Sequence, residues 1–164
     1  MGTVDRRTFL LAAAGTGAAL GLAACGAGAV GAPLGASAIA AREASRTASG
    51  STRRLVLRAR PIEVDLGGTV VATWAYGSTI PGTALRATAG DRIIVDFRND
   101  LPEPTSVHWH GLAIRNDMDG VPGVTTPETA PGGRSTFDFV VPDPGTHWFH
   151  PHHGLQLDHG LYAP

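Results

Sequence analysis

Two His-x-His pairs, His108/His110 in SVHWHG and His150/His152 in HWFHPHHG, are the residues of this chain best suited to chemistry. Each pair sits in a segment that reads as a β-strand, where residues i and i+2 project from the same face. Each pair therefore offers two imidazoles to one site, while Trp109 or Pro151 between them points away. If the two strands are neighbours, four histidines converge. Neutral imidazole is a strong copper ligand, so such a gathering reads as a copper site rather than a structural hydrogen-bond cluster.

The segments that must position these pairs read as β throughout. Residues 55–66 form a first strand closed by Gly67-Gly68, and residues 69–76 a second closed by Gly77-Ser78. After Pro81-Gly82, residues 84–88 lead through a Gly90-Asp91 turn into a strand over 92–99, where Ile93, Val95 and Phe97 share one face. Further strands are expected over 105–110, 135–141 and 146–150. Short strands separated by Gly, Pro and Asp turns point to an all-β, Greek-key sandwich rather than a helical fold.

The beginning of the chain has a different character. Arg6-Arg7 precedes an Ala/Leu/Gly stretch running to Ala24, the layout of an export signal, too short and too rich in small residues for a transmembrane span. Arg-Arg-Thr-Phe-Leu resembles a twin-arginine signal, with an ordinary secretion signal as the plainer reading. Leu22-Ala23-Ala24-Cys25 resembles a bacterial lipobox, on which reading Cys25 carries a lipid; otherwise Cys25 merely lies near a cleavage site. Residues 26–51 read as a Gly/Ala/Ser-rich spacer, in which 37–48 has some helical tendency, and residues 52–164 as one modest domain.

Cys25 is the single cysteine, so no disulfide forms within the chain and no thiolate reaches the folded part. The formal charge is -1, with 13 basic residues, all arginine, against 14 acidic ones. That balance gives no electrostatic footprint for nucleic acid, and a membrane enters only through the signal or a lipid anchor.

Two longer strings carry a family resemblance. TSVHWHGL over 105–112, followed by DMDGVPG over 117–123, resembles the first copper-binding block of the laccase-like multicopper oxidases. PGTHWFHPH over 144–152, with Gln156, Asp158, Gly160 and Leu161, resembles their second block. The resemblance implies a cupredoxin-like sandwich, with His108 a ligand of the type 2 copper and His110 a ligand of one type 3 copper. His150 and His152 would each ligate one copper of the type 3 pair. Asp119 stands where the family carries a carboxylate associated with proton delivery, although an Asp-Gly turn residue accounts for it equally; Asp158 has a weaker claim. By strand parity His147 faces away from the others, at a position where the family often has Tyr. His153 and His159, the latter standing where the resemblance leads one to expect Arg, read as surface or local hydrogen-bonding residues. Trp109, Trp148 and Phe149 read as wall and core.

The resemblance also implies what lies elsewhere. A complete trinuclear cluster in this family takes eight histidines, the other four from a later cupredoxin domain or a neighbouring subunit, and the type 1 copper needs a Cys that this chain lacks near its histidines. The family usually continues past the position of Pro164 into one more strand, so the sequence reads as the N-terminal part of an oxidase, its last strand missing. The expected function is half of the oxygen site of an enzyme that oxidises phenols, aromatic amines or metal ions with O₂. A tethered copper-holding module without turnover, or a remnant with vestigial histidines, are the alternatives.

Overall fold

The computed structural model describes residues 48–164 together with Ala38, Ala41, Ala44, Ser45 and Arg46. Residues Ile39–Pro164 form a compact unit. The expected export signal at residues 1–25, including Cys25, and most of the expected spacer over 26–51 lie outside the described residues.

The described residues form β1 (Thr52–Asp65), β2 (Val70–Tyr76), β3 (Arg92–Asn99), β4 (His108–His110), a 3₁₀ turn (Asn116–Met118), β5 (Arg134–Val140) and β6 (Trp148–His150). Four strands make one sheet in the order β2-β1-β3-β5, and β4 pairs with β6 in a second. β1 serves two partners in succession: its first half runs parallel to β3, and from Ala59 onward it runs antiparallel to β2. Pro61 falls where β1 has left β3 and has one neighbour, a place where a missing N–H is tolerated. The crossing order and the two facing layers make this an open, cupredoxin-like β-sandwich, as expected.

Alternation fixes which faces meet. Leu57 and Ala59 of β1, Ile93, Val95 and Phe97 of β3, and Phe137 and Phe139 of β5 are buried, and their odd-numbered face packs on Trp109 and Phe149 of the small sheet. Trp109 lies with its ring centroid 5.3 Å from Phe139 and 5.5 Å from Phe137. These contacts matter because β4 and β6 are three residues each. Burying one such aromatic contributes about 2–3 kcal/mol, against about 1 kcal/mol net for a ladder hydrogen bond. Trp109, between His108 and His110, is therefore the anchor of β4, and Phe149, just before His150, is the anchor of β6.

Residue 105 does not extend β4 as a ladder. Instead Thr105 makes a bridge with Thr129, and its hydroxyl donates to Gln156 Oε1 at 2.6 Å. At the far end of the large sheet, the buried Asp91 carboxylate accepts from the Ser49 hydroxyl, the Arg53 guanidinium and the Thr88 N–H, joining the entry of β3 to the start of β1.

Candidate metal centre

With Trp109 and Phe149 committed to the core and directly opposite each other, β4 and β6 must turn their alternate residues outward. The register pairs His108 with His150 and His110 with Trp148. One ring nitrogen from each of His108, His110 and His150 lies within 4.8 Å of the other two. His152 lies outside that tight group, yet its ring stands edge-on to His108 at 4.7 Å and stacks on His150 at 5.0 Å. All four rings thus occupy one face.

Backbone carbonyls set the tautomers. His108 Nδ1 lies 2.9 Å from the carbonyl oxygen of Asp119. A carbonyl only accepts, so Nδ1 carries the proton and Nε2 keeps its lone pair. His150 Nδ1 donates likewise to the Pro151 carbonyl at 3.1 Å, leaving its Nε2 3.1 Å from His110 Nδ1. Two nitrogens that close share either one proton or one cation. Desolvation holds His150 below the ordinary imidazole pKa, and the neighbouring imidazoles push the same way; His152 is lowered by desolvation and then by His108. Neutral rings with preset lone pairs are what a metal requires. The donor set fits copper: three converging imidazoles matching part of a type 2/type 3 site, with no Cys for a type 1 ligand set, since Cys25 is the sole cysteine.

Asp119 reaches the site through a tight turn. Its carboxylate Oδ1 is 3.4 Å from His108 Nδ1, so both its backbone and its side chain face that ring. Gly120 makes this approach possible. It has φ +83°, and a Cβ there would overlap the Val107 carbonyl just before β4. Asp158 has no corresponding contact with the histidines among the described interactions.

The remaining histidines go elsewhere. His147 lines a cavity of about 400 Å³ with Trp109, Phe139 and Phe149, and its Nε2 is buried there without a hydrogen-bond partner. His153 pairs with Glu128 at 2.8 Å, and His159 packs its ring against Trp74.

Several supporting residues had no role assigned from sequence. The His152 N–H donates to Ser106 Oγ at 3.0 Å, and the Ser106 carbonyl accepts from the buried Tyr76 hydroxyl at 2.7 Å. Gln156 Nε2 donates to the Pro104 carbonyl, so the segment before β4 and the turn after β6 are tied by side chains. Trp148 belongs to the wall rather than to the buried core. It is 37% exposed and shares the histidine face, with its ring stacked on His150 at 4.1 Å. Its parity with His150 was the signal that placed it there.

The sequence profile of the multicopper oxidases matches residues 59–164. The chain is 54% identical over 163 residues to Multicopper oxidase MmcO of Mycobacterium tuberculosis, covering 98% of this chain and 32% of that protein. It is 35% identical over 169 residues to Copper resistance protein A of Pseudomonas syringae pv. tomato, covering 98% and 25%. Among solved structures it resembles a multi-copper oxidase from Pseudomonas thermotolerans, with a TM-score of 0.68, 39% identity, and 71% and 29% of the two chains covered. A laccase from Botrytis aclada gives a TM-score of 0.67 at 35% identity, with 77% and 24% covered. The chain spans about a third or less of the length of these proteins. On this combined footing of fold, histidine geometry and sequence, the chain belongs to the multicopper oxidase family.

Proposed function

We propose that this chain supplies His108, His110, His150 and His152 as half of the trinuclear copper cluster of an oxidase that couples one-electron oxidation of phenols, amines or metal ions to reduction of O₂ to water. The observation that carries the reading is the convergence of ring nitrogens from His108, His110 and His150, two of them with tautomers fixed by carbonyls. Following the family resemblance, His108 belongs to the type 2 copper and His110, His150 and His152 to the type 3 pair. Copper supplies the one-electron redox chemistry, and four electrons with four protons convert O₂ to two waters.

The residues of this chain do the rest of the work assigned here. Trp109 and Phe149 anchor the paired strands β4 and β6 side by side, and the Asp119 and Pro151 carbonyls orient the His108 and His150 rings. Asp119, with its carboxylate beside His108, takes part in proton delivery. The other ligands and the type 1 copper come from a later cupredoxin domain or a neighbouring subunit, where the reducing substrate is met. Export fits the leader at residues 1–25, with Cys25 as its lipid anchor and residues 26–51 as the tether. Among the described residues no helix is long and apolar enough to cross a membrane.

The test is copper retention. His110→Ala with His152→Ala removes type 3 copper, read as a lower metal-to-protein ratio after desalting; normal retention overturns the ligand assignment. Tight copper binding by the isolated chain, without oxidase activity, would favour the copper-holding module instead.

A further inference from the structure

His110 differs from the other two clustered histidines in how its ring is held. His108 and His150 each donate Nδ1–H to a backbone carbonyl, Asp119 and Pro151 respectively. His110 is exposed, and its one hydrogen bond among the described residues is with His150 itself. A ligating imidazole ordinarily has its second nitrogen fixed by an acceptor, because the terminal torsion of His is broad and does not fix the ring plane. Among the described residues His110 has no backbone or carboxylate acceptor, and its one partner nitrogen, His150 Nε2, is itself a candidate metal ligand.

What it has is Trp148, its register partner across the β4-β6 ladder. The indole lies 5.0 Å from the His110 ring at an interplanar angle of 34°, and 4.1 Å from the His150 ring at 25°. One aromatic face thus abuts both imidazoles whose nitrogens meet at 3.1 Å. Trp148 is 37% exposed while His150 is 7% exposed, so the indole also forms the solvent-side cover of His150.

From this geometry we infer that Trp148 is a positioning residue of the metal centre: its ring face replaces, for His110, the hydrogen-bond acceptor that orients His108 and His150. The role rests on the copper-ligand reading above, and it concerns ring orientation rather than contact with copper or oxygen. It requires a flat ring at position 148, not merely apolar volume.

The test compares Trp148→Leu with Trp148→Phe in the full protein. Leu keeps bulk without a ring face; Phe keeps the face. Loss of an outer-shell support typically lowers metal affinity by about 10–100-fold. The expected result is a loss of about 10-fold in Cu(II) affinity for Trp148→Leu, largely restored in Trp148→Phe, with similar melting temperatures for both variants. In the copper-free protein, NMR should show the His110 ring protons shifted upfield by the indole ring current, and the shift should vanish in Trp148→Leu. Unchanged affinity in Trp148→Leu overturns the inference, as does an equal loss in both variants. Failure of the wild-type protein to hold copper would sink the copper reading alone, since the copper-free ring-current shift reports the His110 stacking without metal; its absence would overturn the positioning role.

Discussion

At the large sheet Asp91, Asp96 and Asp138 are carboxylates kept ionised by arginines and other hydrogen-bond donors, whereas at the small sheet His150 and His152 are imidazoles held toward the neutral form by desolvation and by neighbouring imidazoles. Asp91 is held down to about 2, chiefly by the Ser49 hydroxyl, then by the Thr88 N–H and Arg53. Arg92 lowers Asp138 and Arg98 lowers Asp96 in the same way. Across the sandwich, His150 and His152 are lowered instead, with burial as the leading cause. The first region satisfies its charges internally and so serves as scaffold. The second brings ring nitrogens of three histidines within 4.8 Å of one another, and that convergence is what makes it a site.

The contrast is broken most severely at the Asp119-Gly120 turn, where scaffold and site touch. Gly120→Ala puts a side chain at positive φ and into the Val107 carbonyl, at the strand that carries His108. The expected cost is on the order of 2–4 kcal/mol in a denaturant melt, with weakened copper retention because the Asp119 carbonyl no longer reaches His108. A copper affinity that survives with full stability would mean that the turn is not what orients the ring.

A smaller effect is expected at Asp91. Its pKa in the fold lies below the ordinary carboxylate value of 3.8, so between these the unfolded chain binds more protons than the native one. Its stabilisation is therefore complete above about pH 4 and is lost as pH falls through about 2. Asp91→Asn should lower the melting temperature at neutral pH and flatten the acid limb between those values, leaving copper retention intact; an unaltered acid limb would count against the clasp.

Least of all should change in Arg92→Ala. That arginine grips both carboxylate oxygens of Asp138, but the pair lies at an exposed face, where solvent and salt screen it. Thermal melts of variant and parent are expected to coincide closely at physiological salt, and a large drop would show the exposed ion pairs to be a network rather than isolated contacts.

Much of the fold was legible because period-two alternation is a local property. Ile93, Val95 and Phe97 share the buried face that their spacing predicts, and His147 lines the cavity beside the core rather than joining the histidines. The strand expected over 105–110 was overextended, since Thr105 and Ser106 direct their hydroxyls into Gln156 and the His152 N–H instead of prolonging a ladder. Such side-chain ties join residues some 50 positions apart, and no local pattern announces them. Trp148 is a wall residue, as read, but its stacking on His150 and His110 depends on the register of the two strands rather than on any local pattern.

By itself the sequence determined which residue types were available and which face of its strand each occupied: His108 with His110, Trp109 opposed to both, and no cysteine beyond Cys25. These follow from strand geometry and from counting. Only the tertiary structure decided that His108 stands opposite His150, that the Asp119 carbonyl holds His108, and that the Trp148 indole covers His110 and His150. Register and ring orientation depend on how two sheets bury Trp109 and Phe149 against Phe137 and Phe139, a packing condition satisfied by residues far apart in the chain.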